Sequence, residues 1–148
     1  MTRSPDHFPG RDGADKARLS YSIDLARGML CQTWRGAISH VDVEDFWNTL
    51  IQDPETLRIG RHLNDLRECT LHVSGDDWLD MIVRVLEHMP PHAAWKAAIV
   101  VDSPANFGVV RQFLGYAGDL VVAELFTDLA SAERWLLDSP PDAAATSR

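Results

Sequence analysis

Between Arg61 and Trp78 the chain reads RHLNDLRECTLHVSGDDW, and this stretch limits the fold more than any other. Ile59, Leu63 and Leu66 supply the apolar framework of a strand, while Ser74 followed by Asp77 at the third helical position resembles a capping box. Trp78, Ile82, Val85, Leu86 and Met89 then line one face of a helix that Pro90-Pro91 stops. Trp95 to Val101, WKAAIVV, is a compact apolar run bounded by prolines, which reads as a buried strand. Strand, one-faced helix and buried strand in succession imply a parallel pair joined by a helical crossover.

The flanking segments extend the alternation in both directions. Tyr21, Ile23 and Leu25 alternate with polar residues, and Ala26-Arg27-Gly28 turns the chain into a second β run from Met29 to Arg35. Gly36 ends that run. Ser39 with Asp42 opens a helix that places Val43, Phe46, Trp47, Leu50 and Ile51 on one face and stops near Asp53-Pro54. After the WKAAIVV strand, Ser103 as cap and Pro104 at the first helical position start a third helix with Phe107, Val110 and Leu114 inward, ended by Gly115 and Gly118. Leu120 to Phe126 reads as strand five. Thr127 or Asp128 caps a last helix that buries Leu129, Ala132, Trp135 and Leu136.

The predicted order is ββαβαβαβα: an α/β domain with a five-stranded mixed, mostly parallel sheet and four helices, over residues 19–138. Residues 1–18 and 139–148, rich in Pro, Gly, Ala and charge without periodicity, are expected to be disordered tails.

Charge narrows the function classes. Net charge is −8, and residues 1–18 hold four bases against three acids, leaving ten bases and nineteen acids for the rest. Such a body has no basic stripe to neutralise phosphates, which argues against nucleic acid and anionic membrane as partners. Two cysteines without metal spacing, Cys31 and Cys69, and the absence of an apolar segment near the ~20 residues of a membrane span fit a cytoplasmic protein with free thiols.

The strand order, together with Asn64-Asp65-Leu66 closing the third strand and Ser74 opening the next helix, resembles the SpoIIAA-like (STAS-like) family, named for anti-sigma-factor antagonists. Asp53-Pro54, Ala98-Ile99-Val100-Val101 and Phe126-Thr127-Asp128-Leu129 with Ala132, Trp135 and Leu136 support the resemblance. It implies a divergent member: a non-enzymatic regulatory or protein-interaction domain with no cofactor. In the family's antagonists a phosphorylatable serine follows the Asp-Leu pair by about nine positions in an Asp-Ser-Ser-Gly-Leu context. Ser74-Gly75 matches that position, but Val73 replaces the Asp, and Asp76-Asp77-Trp78 replaces the small apolar continuation. Ser74 is therefore either a phosphorylation site or a plain helix cap, and Asp76, Asp77 and Asp80 oppose a dianion there.

Two functional expectations follow. In the first, the surface of Ser74, Asp76, Asp77, Asp80 and Arg84 meets a protein partner. Asp65, Arg67, Asp102 and Asn106, with Gly36, His40 and Ser103, would rim a cleft beyond the carboxyl ends of the strands. In the second, by likeness to CRAL-TRIO/SEC14-type folds, Phe107, Phe113 and Trp135 hold a small apolar, lipid-like ligand between sheet and helices. The edge strand of the hairpin offers a route to a homodimer. His62 and Asn64 share one face of a strand that should be apolar, which marks either a buried polar pair or part of a site. Catalytic and metal sites are not expected. His72, Ser74 and Asp76 lack a nucleophile context, and Pro90-Pro91 breaks the helical spacing of His88 and His92.

Overall fold

The computed structural model describes residues 16–88, 95–118 and 121–138. Most of the expected N-terminal tail, the C-terminal tail, Met89, Pro90-Pro91, His92 and Leu120 lie outside the described residues. Five strands form one sheet whose spatial order follows the sequence. β1 (Arg18–Asp24) is the antiparallel edge strand, and β2 (Met29–Ser39), β3 (Arg61–His72), β4 (Lys96–Val100) and β5 (Val122–Phe126) run parallel. Arg18, assigned to the tail from sequence, already belongs to β1, whereas Leu25 sits exposed in the hairpin turn.

The helices are α1 (His40–Ile51), α2 (Pro54–Leu57), α3 (Gly75–Leu86), α4 (Pro104–Ala117) and α5 (Leu129–Asp138). Their starts follow local cap chemistry. Ser39 and Asp42 form the complete capping box of α1, and Ser74 and Ser103 accept the third-position N–H of α3 and α4. α2 is a fifth helix absent from the sequence expectation. Asp53-Pro54 does end α1, but the Asp53 carboxylate also accepts Glu55 N–H and so starts a new turn. Its second oxygen accepts the Tyr21 hydroxyl at 2.8 Å, tying this turn to β1. α4 passes through Gly115 and ends at Gly118, with Asn106, Val110, Phe113 and Ala117 buried, whereas Phe107 and Leu114 are half-buried.

α1, α3 and α4 share one face of the sheet, as same-handed crossovers between sequential parallel strands require, and α5 covers the other. The core on the three-helix face is aromatic. Trp34, 1% exposed, stacks on Trp78 at 5.6 Å and meets Phe46 and Trp47 edge-on, and Trp78 stacks in turn on Phe113 at 5.1 Å. On the opposite face Met29, Leu63, Ala98 and Val100 receive Ala132 and Leu136 of α5. The C-terminal carbonyls of α5 are met by cations from the sheet: Arg61 Nε donates to Leu136 O at 2.9 Å and Lys96 Nζ to Trp135 O at 2.7 Å.

Two strands run further than the sequence reading placed them. β2 does not end at Gly36 but continues to Ser39, because Ile38 returns to the buried face already used by Leu30 and Trp34. Gly36 has φ +85, and a Cβ there would lie 2.1 Å from Lys16 O, so the entering chain crosses where only glycine leaves room. β3 does not close at Asn64-Asp65-Leu66 either. A bulge sits opposite Trp34, where Thr33 pairs with Asp65 but Arg35 pairs with Glu68, and β3 then continues to His72. Its inward residues switch there from His62, Asn64 and Leu66 to Cys69 and Leu71.

Candidate functional site

Three regions contain the residues singled out from sequence. The first is the carboxyl end of the sheet. β4 pairs with β3 only as far as Val100, opposite Asp65, so among the described residues the rest of β3 has no strand on that side. Side chains cap it instead. Asn106 in the first turn of α4, 1% exposed, accepts Leu71 N–H at 3.0 Å and donates to Cys69 O at 2.8 Å. These are the two backbone groups that a residue of a neighbouring parallel strand would bond, so its amide stands in for a missing strand residue. Asp65 accepts Arg67 N–H at 3.1 Å and takes Arg67 Nε and a terminal guanidinium nitrogen on its two oxygens, both at 2.9 Å.

That ion pair holds the Asp65 carboxyl below its ordinary range and raises Arg67. Asp102 adds to the field on Arg67, so Asp65, Arg67 and Asp102 do come together. Gly36, under the Lys16–Ala17 crossing, shares an open hollow with Arg67, Glu68 and His72. The other members of the expected rim do not join it: Ser103 caps α4, His40 is an exposed first residue of α1, and Asn106 points into the protein.

The second region is the start of α3. Ser74, Asp76, Asp77 and Asp80 are exposed, and Ser74 Oγ accepts Asp77 N–H at 3.1 Å. Among the described residues, none of these three carboxylates holds an ion pair, whereas Arg84 on the same helix donates to Glu44 of α1 at 2.6 Å. Gly75 is buried with its N–H on Gln112 Oε1 at 3.0 Å, which locks the acidic turn to α4.

The third region lies at the opposite end of the sheet, under the three helices. Row by row, Leu30, His62, Ala97 and Ala123 stand side by side across β2 to β5. Two alanines in a row otherwise built of large side chains leave space. Two adjoining cavities lie here, of about 30 and about 40 Å³; they share Gln32, Trp47, Ile82 and Trp95 as walls, with His62 lining the smaller and Ala97 and Ala123 the larger. His62 is 7% exposed; its Nε2 bonds Ile59 O at 2.9 Å and its ring meets Trp95 edge-on at 5.0 Å. Burial lowers its pKa from 6.5 to about 4. Among the described residues, His62 Nδ1 and Trp95 Nε1 are buried with no hydrogen-bond partner. Gln32, Trp47 and Trp95 were not singled out from sequence as site residues; the polar anomaly of His62 and Asn64 was the one signal available there.

The aromatics expected to hold an apolar ligand are not assembled. Phe113 lines the larger cavity, Phe107 lies half-buried beneath Arg111, and Trp135 is on the far face of the sheet against Phe126 and Lys96. Cys31 and Cys69 are free thiols whose pKa values burial raises, to about 12 for Cys69. Among the described residues no cluster of His, Cys, Asp or Glu is arranged to hold a metal, and no helix is long and apolar enough to cross a membrane.

No protein-family model matches the sequence, and no curated protein matches it. Solved structures do. An anti-sigma factor antagonist from Mycobacterium paratuberculosis superposes with a TM-score of 0.57 at 14% identity, covering 84% of this chain and 97% of that one. An uncharacterised protein with a SpoIIAA-like fold from Shewanella loihica PV-4 gives 0.57 at 16% identity, covering 84% and 98%. The fold is SpoIIAA-like.

Within this SpoIIAA-like fold the two halves of the resemblance motif are unequal. Asp65-Leu66 does not close β3 but marks its bulge, and six further residues follow before the strand ends at His72. Ser74-Gly75 does open the following helix, with the hydroxyl committed to Asp77 N–H.

Proposed function

We propose that this domain is a non-enzymatic regulatory module that acts by binding another protein, with the first turns of α3 as the contact surface. The observation that carries this is the exposed run Asp76, Asp77 and Asp80, without an ion pair among the described residues and fixed in place by the Ser74 cap and the Gly75–Gln112 bond. Carboxylates held on a preset backbone cost little ordering entropy on binding, and they favour a partner of basic surface. Asp65, Arg67 and Asp102 flank the same end of the sheet and extend the polar surface. The fold shared with an anti-sigma factor antagonist supports a role in protein recognition.

Ser74 serves this surface as a cap. A phosphate on it would set a dianion beside the carboxylates of Asp76, Asp77 and Asp80. The test is capture of partners by the immobilised full chain, compared with an Asp76→Lys/Asp77→Lys variant whose fold is checked by circular dichroism. Proteins retained by the parent and released by moderate salt should be lost by the variant. Equal retention by both would refute the assignment of the surface.

A further inference from the structure

β1 and β5 are the outer strands of the sheet, and among the described residues no strand pairs with the far side of either. Each therefore presents a row of backbone N–H and C=O groups, a template for another strand. Which strand fits depends on the side chains that pairing would set opposite one another.

In chemical character β1 reads the same from both ends: Arg18-Leu19-Ser20-Tyr21-Ser22-Ile23-Asp24. Two copies running antiparallel about a two-fold axis at Tyr21 set Arg18 against Asp24, Leu19 against Ile23 and Ser20 against Ser22. No other axis places Arg18 opposite Asp24. Leu19, Tyr21 and Ile23 are half-buried against the core on the three-helix side, and their row would continue into the same row of the second copy. Arg18, Ser20, Ser22 and Asp24 alternate onto the other face. Leu25, 79% exposed at the hairpin turn, falls beside Ala17 of the second copy in this register.

The surroundings of the two ends are also complementary. Arg18 stands opposite Arg35, which is paired with Glu68, so that end carries a net positive charge. Asp24 holds Arg27 at 2.7 Å, but Glu133 lies 3.6 Å from the same guanidinium and leaves that end net negative. The two-fold axis brings unlike ends together twice. β5 fails the same comparison, because pairing with itself about its centre sets Glu124 against its own copy.

We propose that the chain forms a symmetric dimer in which β1 pairs antiparallel with β1 of a second copy, joining the two sheets into one. The contact uses none of the α3 residues, so it stands or falls separately from the partner surface. Seven strand residues a side make a small interface, which places the dissociation constant on the order of 10 µM.

Sedimentation of the full chain from about 1 µM to about 1 mM should show the mass rising from monomer to dimer and stopping there, because a two-fold contact closes. Arg18→Asp sets carboxylates opposite each other at both ends of the β1 pair, and Asp24→Arg sets guanidiniums there. Each variant alone should associate about tenfold more weakly than the parent or worse. Mixed in equal amounts, the two variants regain both opposite-charge pairs and should associate about as tightly as the parent. Circular dichroism checks that both fold. If Asp24→Arg does not fold, having given up its bonds to Arg27, the parent and Arg18→Asp decide, since Arg18 is exposed and outside the turn. A parent that stays monomeric throughout would overturn the proposal, as would growth beyond a dimer or an Arg18→Asp variant that dimerises as tightly as the parent. So would a mixture of the variants that associates no better than either alone.

Discussion

His62 makes the stability of this protein depend on pH in a calculable way. Its ring is buried against Trp95, and desolvation depresses its pKa from 6.5 to about 4 although the Ile59 carbonyl partly offsets the shift. Because the folded value is the lower one, the unfolded chain takes up a proton that the folded chain refuses, and stability rises with pH between the two values. The contribution is complete above about pH 6.5 and falls away as the pH drops toward 4. For a shift of that size the loss between pH 7 and pH 5 is about 2 kcal/mol, and it reaches about 3 kcal/mol below both values.

Urea unfolding followed by tryptophan emission at pH 7, 6 and 5 measures it, since the aromatic cluster around Trp34 is dismantled on unfolding. His62→Gln is the control. Its side-chain amide can still donate to Ile59 O but does not titrate, so most of the pH dependence should vanish, leaving a nearly flat profile. The window stays above the carboxylate range, which keeps the Asp65–Arg67 pair out of the difference. If parent and His62→Gln lose stability in parallel from pH 7 to pH 5, the His62 ring is solvated or protonated in the fold, and the burial on which this reasoning depends is wrong.

Asn106→Leu should leave Cys69 C=O and Leu71 N–H buried without partners and cost about 2–4 kcal/mol by urea unfolding at neutral pH. Asn106→Asp keeps an acceptor for Leu71 N–H but loses the donor to Cys69 O, and should also destabilise. A loss below ~0.5 kcal/mol for Asn106→Leu would show that the end of β3 does not depend on the amide. Ser74→Ala should cost about 1 kcal/mol through the lost cap and Ser74→Gly only a few tenths, read as thermal midpoints. Partner capture through Asp76 and Asp77 should survive both, and its loss in Ser74→Ala would give the hydroxyl a recognition role beyond capping.

Which parts of this molecule could be read from sequence follows from how far each feature reaches along the chain. Helix starts are decided within four residues, so Ser39 with Asp42, Ser74 with Asp77 and Ser103 with Pro104 were legible as caps. A strand is read by its alternation, and β3 breaks that alternation. Up to Leu66 the even positions face the helices, and beyond the bulge the odd positions Cys69 and Leu71 do. Taken as a single period-two run the segment loses its pattern at Arg67, which is where the sequence reading stopped it. Asn106 was misplaced for a related reason. Nothing near it in sequence shows that β3 outlasts β4, and only that mismatch turns a first-turn asparagine from a rim residue into a substitute for a missing strand. The cavities need more again. His62 and Asn64 were visible as polar residues where a central strand should be apolar, but the larger cavity, beside Asn64, is lined by Ala97 and Ala123. These stand 35 and 61 positions further on from His62 and join its row only through the register of three strands. Small side chains carry no signal individually. Their effect appears when they fall in one row, and here that row also contains His62, whose burial leaves Nδ1 without a partner among the described residues.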